Sequence, residues 1–180
     1  MRVQELPITD EVKRIIIEKG YDELYPPQAD AIAAGALFGK NIVLASPTAS
    51  GKTLVAELAI LKKVTEGQGK ALYLTPLRAL ASEKYDEFQK YSNVSKPDGH
   101  RHRIAITSGD YDRSDEHLGS YDVVIATNEK ADSLLRHKAK WISDVTLVVA
   151  DEVHLLNETE RGPTLEVVIT RLRKLNPNIQ

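Results

Sequence analysis

Two stretches of this chain carry residue types, at spacings, that can do chemistry on a phosphoanhydride. The first is Ser46-Pro47-Thr48-Ala49-Ser50-Gly51-Lys52-Thr53, directly behind the apolar run 41–45. The second is Asp151-Glu152-Val153-His154, directly behind the apolar run 146–150. A triphosphate concentrates several negative charges in a small volume, so its site needs many N–H donors, a mobile cation and a metal. A strand turning sharply into a helix supplies the donors, because the first helical N–H groups have no partners and the helix dipole favours anions there. In that arrangement residues 46–50 are the cradle. Gly51 admits close backbone approach, Lys52 reaches the β and γ phosphates, and the Thr53 hydroxyl ligates Mg²⁺. The general pattern G-x-x-x-x-G-K-[ST] is broken once, by Ser46 at its first position. The plainer alternative is a strand-to-helix turn that happens to contain Gly-Lys-Thr.

Asp151 and Glu152 close an apolar run, where two adjacent carboxylates repel and lose solvation. A divalent cation relieves this. Asp151 would hold Mg²⁺ through water, and Glu152 would orient and polarise an attacking water. Phosphoryl transfer asks little else of a protein than positioning and charge neutralisation. Alone, the pair could equally be a helix cap. Together with the upstream loop it implies a nucleoside triphosphate site with Mg²⁺.

The surrounding elements must bring the two stretches together. Helical spacing predicts helices over 8–19, 26–37, 52–64, 77–91, 128–136 and 164–175, and short apolar runs predict strands over 41–45, 70–75, 103–107, 122–126 and 145–150. Pro26-Pro27 suits a first helical turn. Strands that are continuously apolar belong to a parallel sheet covered on both faces. Their alternation with helices implies an α/β, three-layer, doubly wound domain, with ligands outside the carboxyl ends of the strands. Both motifs fall at such ends.

Composition agrees with one such domain. The chain has 180 residues, 42% hydrophobic and 28% charged, enough for a real core. There is no cysteine, which excludes a disulfide frame or thiolate metal site. No signal peptide or membrane-length apolar run is visible, so a cytoplasmic, nucleoid-associated location without membrane partners is expected. The net charge of −2 excludes a uniformly basic coat for nucleic acid but not a local groove. The basic stretch 96–103 reads as a solvated loop entering a strand, with a nucleic-acid contact as the alternative.

The two motifs resemble motifs I and II of superfamily 2 helicases, in the Ski-like DEVH-box group. The resemblance extends over about 5–178. Leu24-Tyr25-Pro26-Pro27-Gln28 resembles a Q motif, which makes Gln28 the adenine contact. Thr75-Pro76-Leu77-Arg78-Ala79-Leu80-Ala81 resembles motif Ia. Ser108-Gly109-Asp110-Tyr111-Asp112 and Ala126-Thr127-Asn128-Glu129-Lys130-Ala131-Asp132-Ser133-Leu134 resemble the next two backbone-contacting motifs. The resemblance thus implies nucleic-acid contacts at Thr75, Pro76, Arg78, Gly109, Asp110, Thr127 and Lys130, catalysis by Lys52, Asp151 and Glu152, and coupling through His154. Singly, Gln28 reads as a solvated helix residue, Arg78 as an ion-pair partner, and Thr75-Pro76 as strand-end punctuation. Contacts of this kind position a strand without reading its sequence.

The Gly-Asp-Tyr-Asp and Glu-Lys-Ala-Asp-Ser-Leu-Leu-Arg strings are most similar to archaeal Holliday-junction-migration DNA helicases. That family implies a RecA-like P-loop NTPase domain and ATP-driven 3′-to-5′ unwinding of single-stranded or forked DNA at stalled replication and recombination structures. It also implies a second RecA-like domain of the same full-length chain, after a Ser-Ala-Thr motif that this sequence does not contain. The expectation is one domain over 1–180, with an accessory segment over 1–25, that binds nucleotide but does not unwind by itself. The other readings are a Ski-like RNA helicase motor, a non-catalytic nucleotide switch and a small-molecule kinase. The intact quartet Lys52, Thr53, Asp151 and Glu152 argues against the switch, and the motif Ia string against the kinase.

Overall fold

The four strands β1 (Lys70–Thr75), β2 (Ile104–Thr107), β3 (Val123–Thr127) and β4 (Val145–Ala150) are all parallel and lie in the order β2-β3-β1-β4. They come from a computed structural model of the chain, which describes residues 1–46, 51–109 and 115–180. Alternation along the strands divides the core in two. Ala71, Tyr73, Val123, Ile125 and Leu147 face one side and pack with α1 (Asp10–Glu18), α2 (Pro26–Ala33), α3 (Lys52–Thr65) and α4 (Arg78–Gln89). Leu72, Leu74, Val124, Ala126 and Val145 face the other and pack with α5 (Asn128–Arg136) and α6 (Gly162–Leu175). The expected three-layer α/β architecture is therefore present. The wholly buried Leu58, Ile60, Leu74, Val124 and Leu134 show why the apolar runs are continuous. Burying each such side chain is worth about 1.5–3 kcal/mol.

Local sequence explains the helix ends. Gly20 stops α1, with Gly20 N–H donating to Ile17 O (2.8 Å) and Tyr21 N–H to Ile16 O (3.2 Å). The same Schellman arrangement ends α2 at Ala33, short of the expected 37. Gly35 sits at φ 106°, its N–H donates to Ile32 O (3.0 Å), and Ala36 N–H donates to Ala31 O (3.1 Å). A left-handed glycine after a helix closes its last carbonyls in this way. Apolar spacing ran on through Ala36 and Leu37 because both are core residues after the turn.

The expected strand over 41–45 is not formed: 41–46 has no ladder, and Val43 is 83% exposed. A strand needs a neighbour for its N–H and C=O groups, and no described strand pairs with this run. The outer edge of β4 is instead met by Gln180. Its N–H donates to Thr146 O (3.0 Å) and its C=O accepts from Val148 N–H (2.8 Å). The Gln180 carboxamide bridges to Ala36 O and Lys40 O. No helix among the described residues is long and apolar enough to cross a membrane.

Candidate nucleotide site and nucleic-acid face

All four strands end on one edge of the sheet, at Thr75, Thr107, Thr127 and Ala150, with Asp151 and Glu152 directly after β4 and Arg78 shortly after β1. Gly51 precedes the first turn of α3 at φ 73°, so the helix N-terminus opens without a capping side chain. Lys52 and Thr53 are half-buried in that turn, and the Lys52 ammonium donates to Ser46 O at 2.6 Å. Pro47, Thr48, Ala49, Ser50 and Asp110 lie outside the described residues.

Gln28 is completely buried rather than solvated. Its Oε1 accepts from Tyr25 N–H (2.8 Å) and its Nε2 donates to Gly51 O (2.9 Å). A Cβ on Gly51 would meet Gln28 Nε2, so glycine is required there both by φ and by this approach. The structure thus places Gln28 against Gly51, within the candidate phosphate loop.

At the end of β4, Asp151 is half-buried and held at three points. Its N–H donates to Leu74 O (3.0 Å), Oδ1 accepts from Glu152 N–H (3.0 Å), and Oδ2 accepts from the Tyr73 hydroxyl (2.9 Å). Burial first, then the charge and hydrogen bond of Asp151, push the Tyr73 hydroxyl far above its usual range, so it stays a donor. Glu152 is exposed and adopts φ 54°, a left-handed conformation that costs a non-glycine residue about 1–3 kcal/mol. Its Oε2 lies 3.2 Å from His154 Nδ1, so the expected coupling residue touches the expected water-orienting one. The donor set, a carboxylate and a hydroxyl, is all oxygen and suits Mg²⁺. Among the described residues no group of three or more His, Asp or Glu side chains could cage a metal alone.

The candidate nucleic-acid residues follow on the same edge. Thr75 is buried with its hydroxyl donating to Leu77 O (3.0 Å), Pro76 is buried, and Arg78 is exposed at the start of α4. The Arg78 guanidinium lies across Gly109, 3.7 Å from where a Cβ would stand, which brings two of the expected motifs together. Thr127 caps α5, accepting from Lys130 N–H at 3.2 Å. Lys130 is 2% exposed, and its ammonium is ion-paired with Asp115 at 2.9 Å. The basic stretch 96–103 is largely engaged within the fold. Lys96 pairs with Asp122, Arg101 bonds Asn93, His102 is buried and Arg103 lies over the Tyr121 ring.

Sequence reasoning missed Tyr73 and Glu57. Glu57 is buried within α3, bonded to Lys19 (2.8 Å) and Tyr91 (2.5 Å). The available signals were a hydroxyl in an otherwise apolar strand and a carboxylate beside the apolar stripe of a helix, both of which need partners when buried.

A family model for DEAD/DEAH box helicases matches residues 25–180. The chain belongs to that family. Its relatives include "ATP-dependent DNA helicase Hel308" of Thermococcus kodakarensis, 56% identical over 96% of this chain and 15% of that protein. The Hel308 of Methanocella arvoryzae is 54% identical over 100% of this chain and 24% of that protein. This DEAD/DEAH box chain therefore spans under a quarter of the length of these relatives. Among solved structures, the DUF1998 helicase MrfA superposes with a TM-score of 0.75 at 27% identity, covering 94% of this chain and 27% of that one. A second MrfA structure, bound to DNA and AMPPNP, gives 0.73 at 26% identity, covering 93% and 24%. Family membership implies ATP use and agrees with the helicase reading of the motifs.

Proposed function

We propose that this chain is the ATP-binding motor domain of an ATP-dependent DNA helicase that moves 3′-to-5′ on forked or stalled replication and recombination structures. The observation that carries this reading is the anchoring of Asp151 to β1. The strand that holds the candidate metal carboxylate runs within two residues into Thr75 and on to Arg78. One rigid strand thus joins the candidate nucleotide site to the candidate nucleic-acid face. Lys52 and the α3 N-terminus would bind the phosphates, and Gln28 would brace the loop and report on adenine. Thr53 and Asp151 would hold Mg²⁺, which supplies charge neutralisation for the transferring phosphoryl group. Glu152 would orient the attacking water, and His154 would relay its position. Arg78, exposed and lying across Gly109, would contact a DNA backbone; Thr75, Pro76, Thr127 and Lys130 are buried and would support that face from beneath, and Asp110 is proposed as a contact from its motif alone. The Hel308 relatives and the DNA-bound MrfA support DNA over RNA as the track.

The test is strand separation by the full-length protein on forks with a 3′ tail, a 5′ tail or an RNA tail. ATP-dependent opening of the 3′-tailed DNA fork is the expected result. Preferential opening of the RNA-tailed fork would move the protein to the Ski-like RNA helicase reading, and preference for the 5′ tail would overturn the polarity.

A further inference from the structure

We propose that Tyr73 is a positioning residue for the Asp151 carboxylate, fixing its orientation for Mg²⁺ from the strand that also leads to the nucleic-acid face. The proposal rests on the reading of Asp151 as the metal carboxylate. A carboxylate at a strand end can rotate freely unless its oxygens are held. Here Oδ1 takes the Glu152 N–H and Oδ2 takes the Tyr73 hydroxyl, one donor each. A carboxylate offers about four lone-pair sites, so this pattern orients the group and leaves acceptor capacity for a metal or its water. The hydroxyl cannot wander. The Tyr73 ring is 1% exposed and sits edge-on against Phe88 with centroids 5.9 Å apart. Phe88 in turn meets Tyr91 in the same geometry.

The adjoining backbone adds a second hold. Leu74 faces Ala150 across the sheet, and its carbonyl accepts the Asp151 N–H. Consecutive residues of β1 therefore hold Asp151 by both main chain and side chain. Groups that orient a metal ligand from behind typically alter metal affinity by about 10- to 100-fold when removed. Tyr73 has the geometry of such a group.

The experiment uses the full-length protein carrying Tyr73→Phe, which keeps the ring and removes the donor. Affinity for a non-hydrolysable ATP analogue is measured by calorimetry in EDTA and across a Mg²⁺ series. The expected result is an unchanged affinity in EDTA, which also reports an intact fold, with the Mg²⁺ midpoint raised about tenfold. An unchanged midpoint overturns the proposal. Asp151→Asn separates the two levels. If it shifts the midpoint and Tyr73→Phe does not, the proposal fails and the metal reading of Asp151 stands. If Asp151→Asn leaves the midpoint unchanged, the metal reading itself fails. In the Asp151→Asn background, Tyr73→Phe is expected to add nothing; the same shift with and without the carboxylate would mean general loosening and would overturn the proposal.

Discussion

Glu152 is held in a backbone conformation that its side chain disfavours, directly after the carboxylate that β1 holds in place. A residue that must aim its side chain at a phosphate site can tolerate such a cost when its neighbours over-determine the turn, and here Leu155 N–H bonds back to Glu152 O at 3.0 Å. Two substitutions separate the strain from the chemistry. Glu152→Gln keeps size and φ but removes the base. In the full-length protein it is expected to retain nucleotide affinity and lose about 10²–10⁴ in turnover, as removal of a general base does. Normal turnover would mean that another group orients the water. Glu152→Gly is expected to lose turnover as well, yet to raise stability by about 1 kcal/mol in chemical denaturation, because glycine adopts positive φ without penalty. A stability gain accompanied by loss of function is the signature of strain retained at a working site. A stability loss instead would show that the left-handed turn is not costly to glutamate here.

Elements were legible in the sequence where their burial was regular, and the site where its residues are consecutive. Strand β4 and helix α5 match their expected bounds because apolar runs and capping residues mark both ends. The run 41–45 is mostly apolar like β4 but has no ladder, since pairing depends on a neighbour that composition does not reveal. Gly51, Lys52 and Asp151 could be named from local pattern. Tyr73 could not be linked to Asp151, because the contact spans 78 positions and is set by the register between β1 and β4. His102 lies in the basic stretch 96–103, yet it is buried and bonded through Nε2 to Thr65 Oγ1 (3.0 Å), joining the end of α3 to the approach to β2. Burial lowers its pKa; Asp122, Glu11 and Asp98 oppose that shift, and Lys96 adds to it. The unfolded chain therefore takes up this proton at higher pH than the folded one. Stability from this group is complete above the unfolded value of about 6.5 and is lost as pH falls from there towards the lower folded value. Denaturation midpoints measured from about pH 7.5 down to about pH 5 are expected to decline across that window. His102→Gln, which removes the titration, should flatten the decline. An identical slope in the variant would assign the effect to other groups.

At the scale of the molecule, all four strands end on one edge of the sheet, where Asp151 and the segment Thr75 to Arg78 lie. Within the two motifs 46–53 and 151–154, Lys52 is the only lysine or arginine. A phosphoryl group in transfer carries charge on all its equatorial oxygens, so a single lysine and one metal leave part of that charge uncompensated. Enzymes of this chemistry commonly bring an arginine across from a second domain or partner, worth about 10³–10⁵ in turnover. On the proposed reading, binding and catalysis separate: the α3 N-terminus and Lys52 would hold a nucleotide, while rapid hydrolysis would need a partner surface closing against the β1–β4 strand ends. The 180-residue chain is accordingly expected to bind ATP with Mg²⁺ by calorimetry and to hydrolyse it about 10³–10⁵ more slowly than the full-length protein saturated with single-stranded DNA. It should separate no duplex, because pulling on a strand needs two holds that move relative to each other and this sheet supplies one. Turnover equal to that of the full-length protein would show that the chain completes its own catalytic charge set. Loss of nucleotide binding in the isolated chain, with binding intact in the full-length protein, would show that the phosphate loop itself is assembled only against the partner surface.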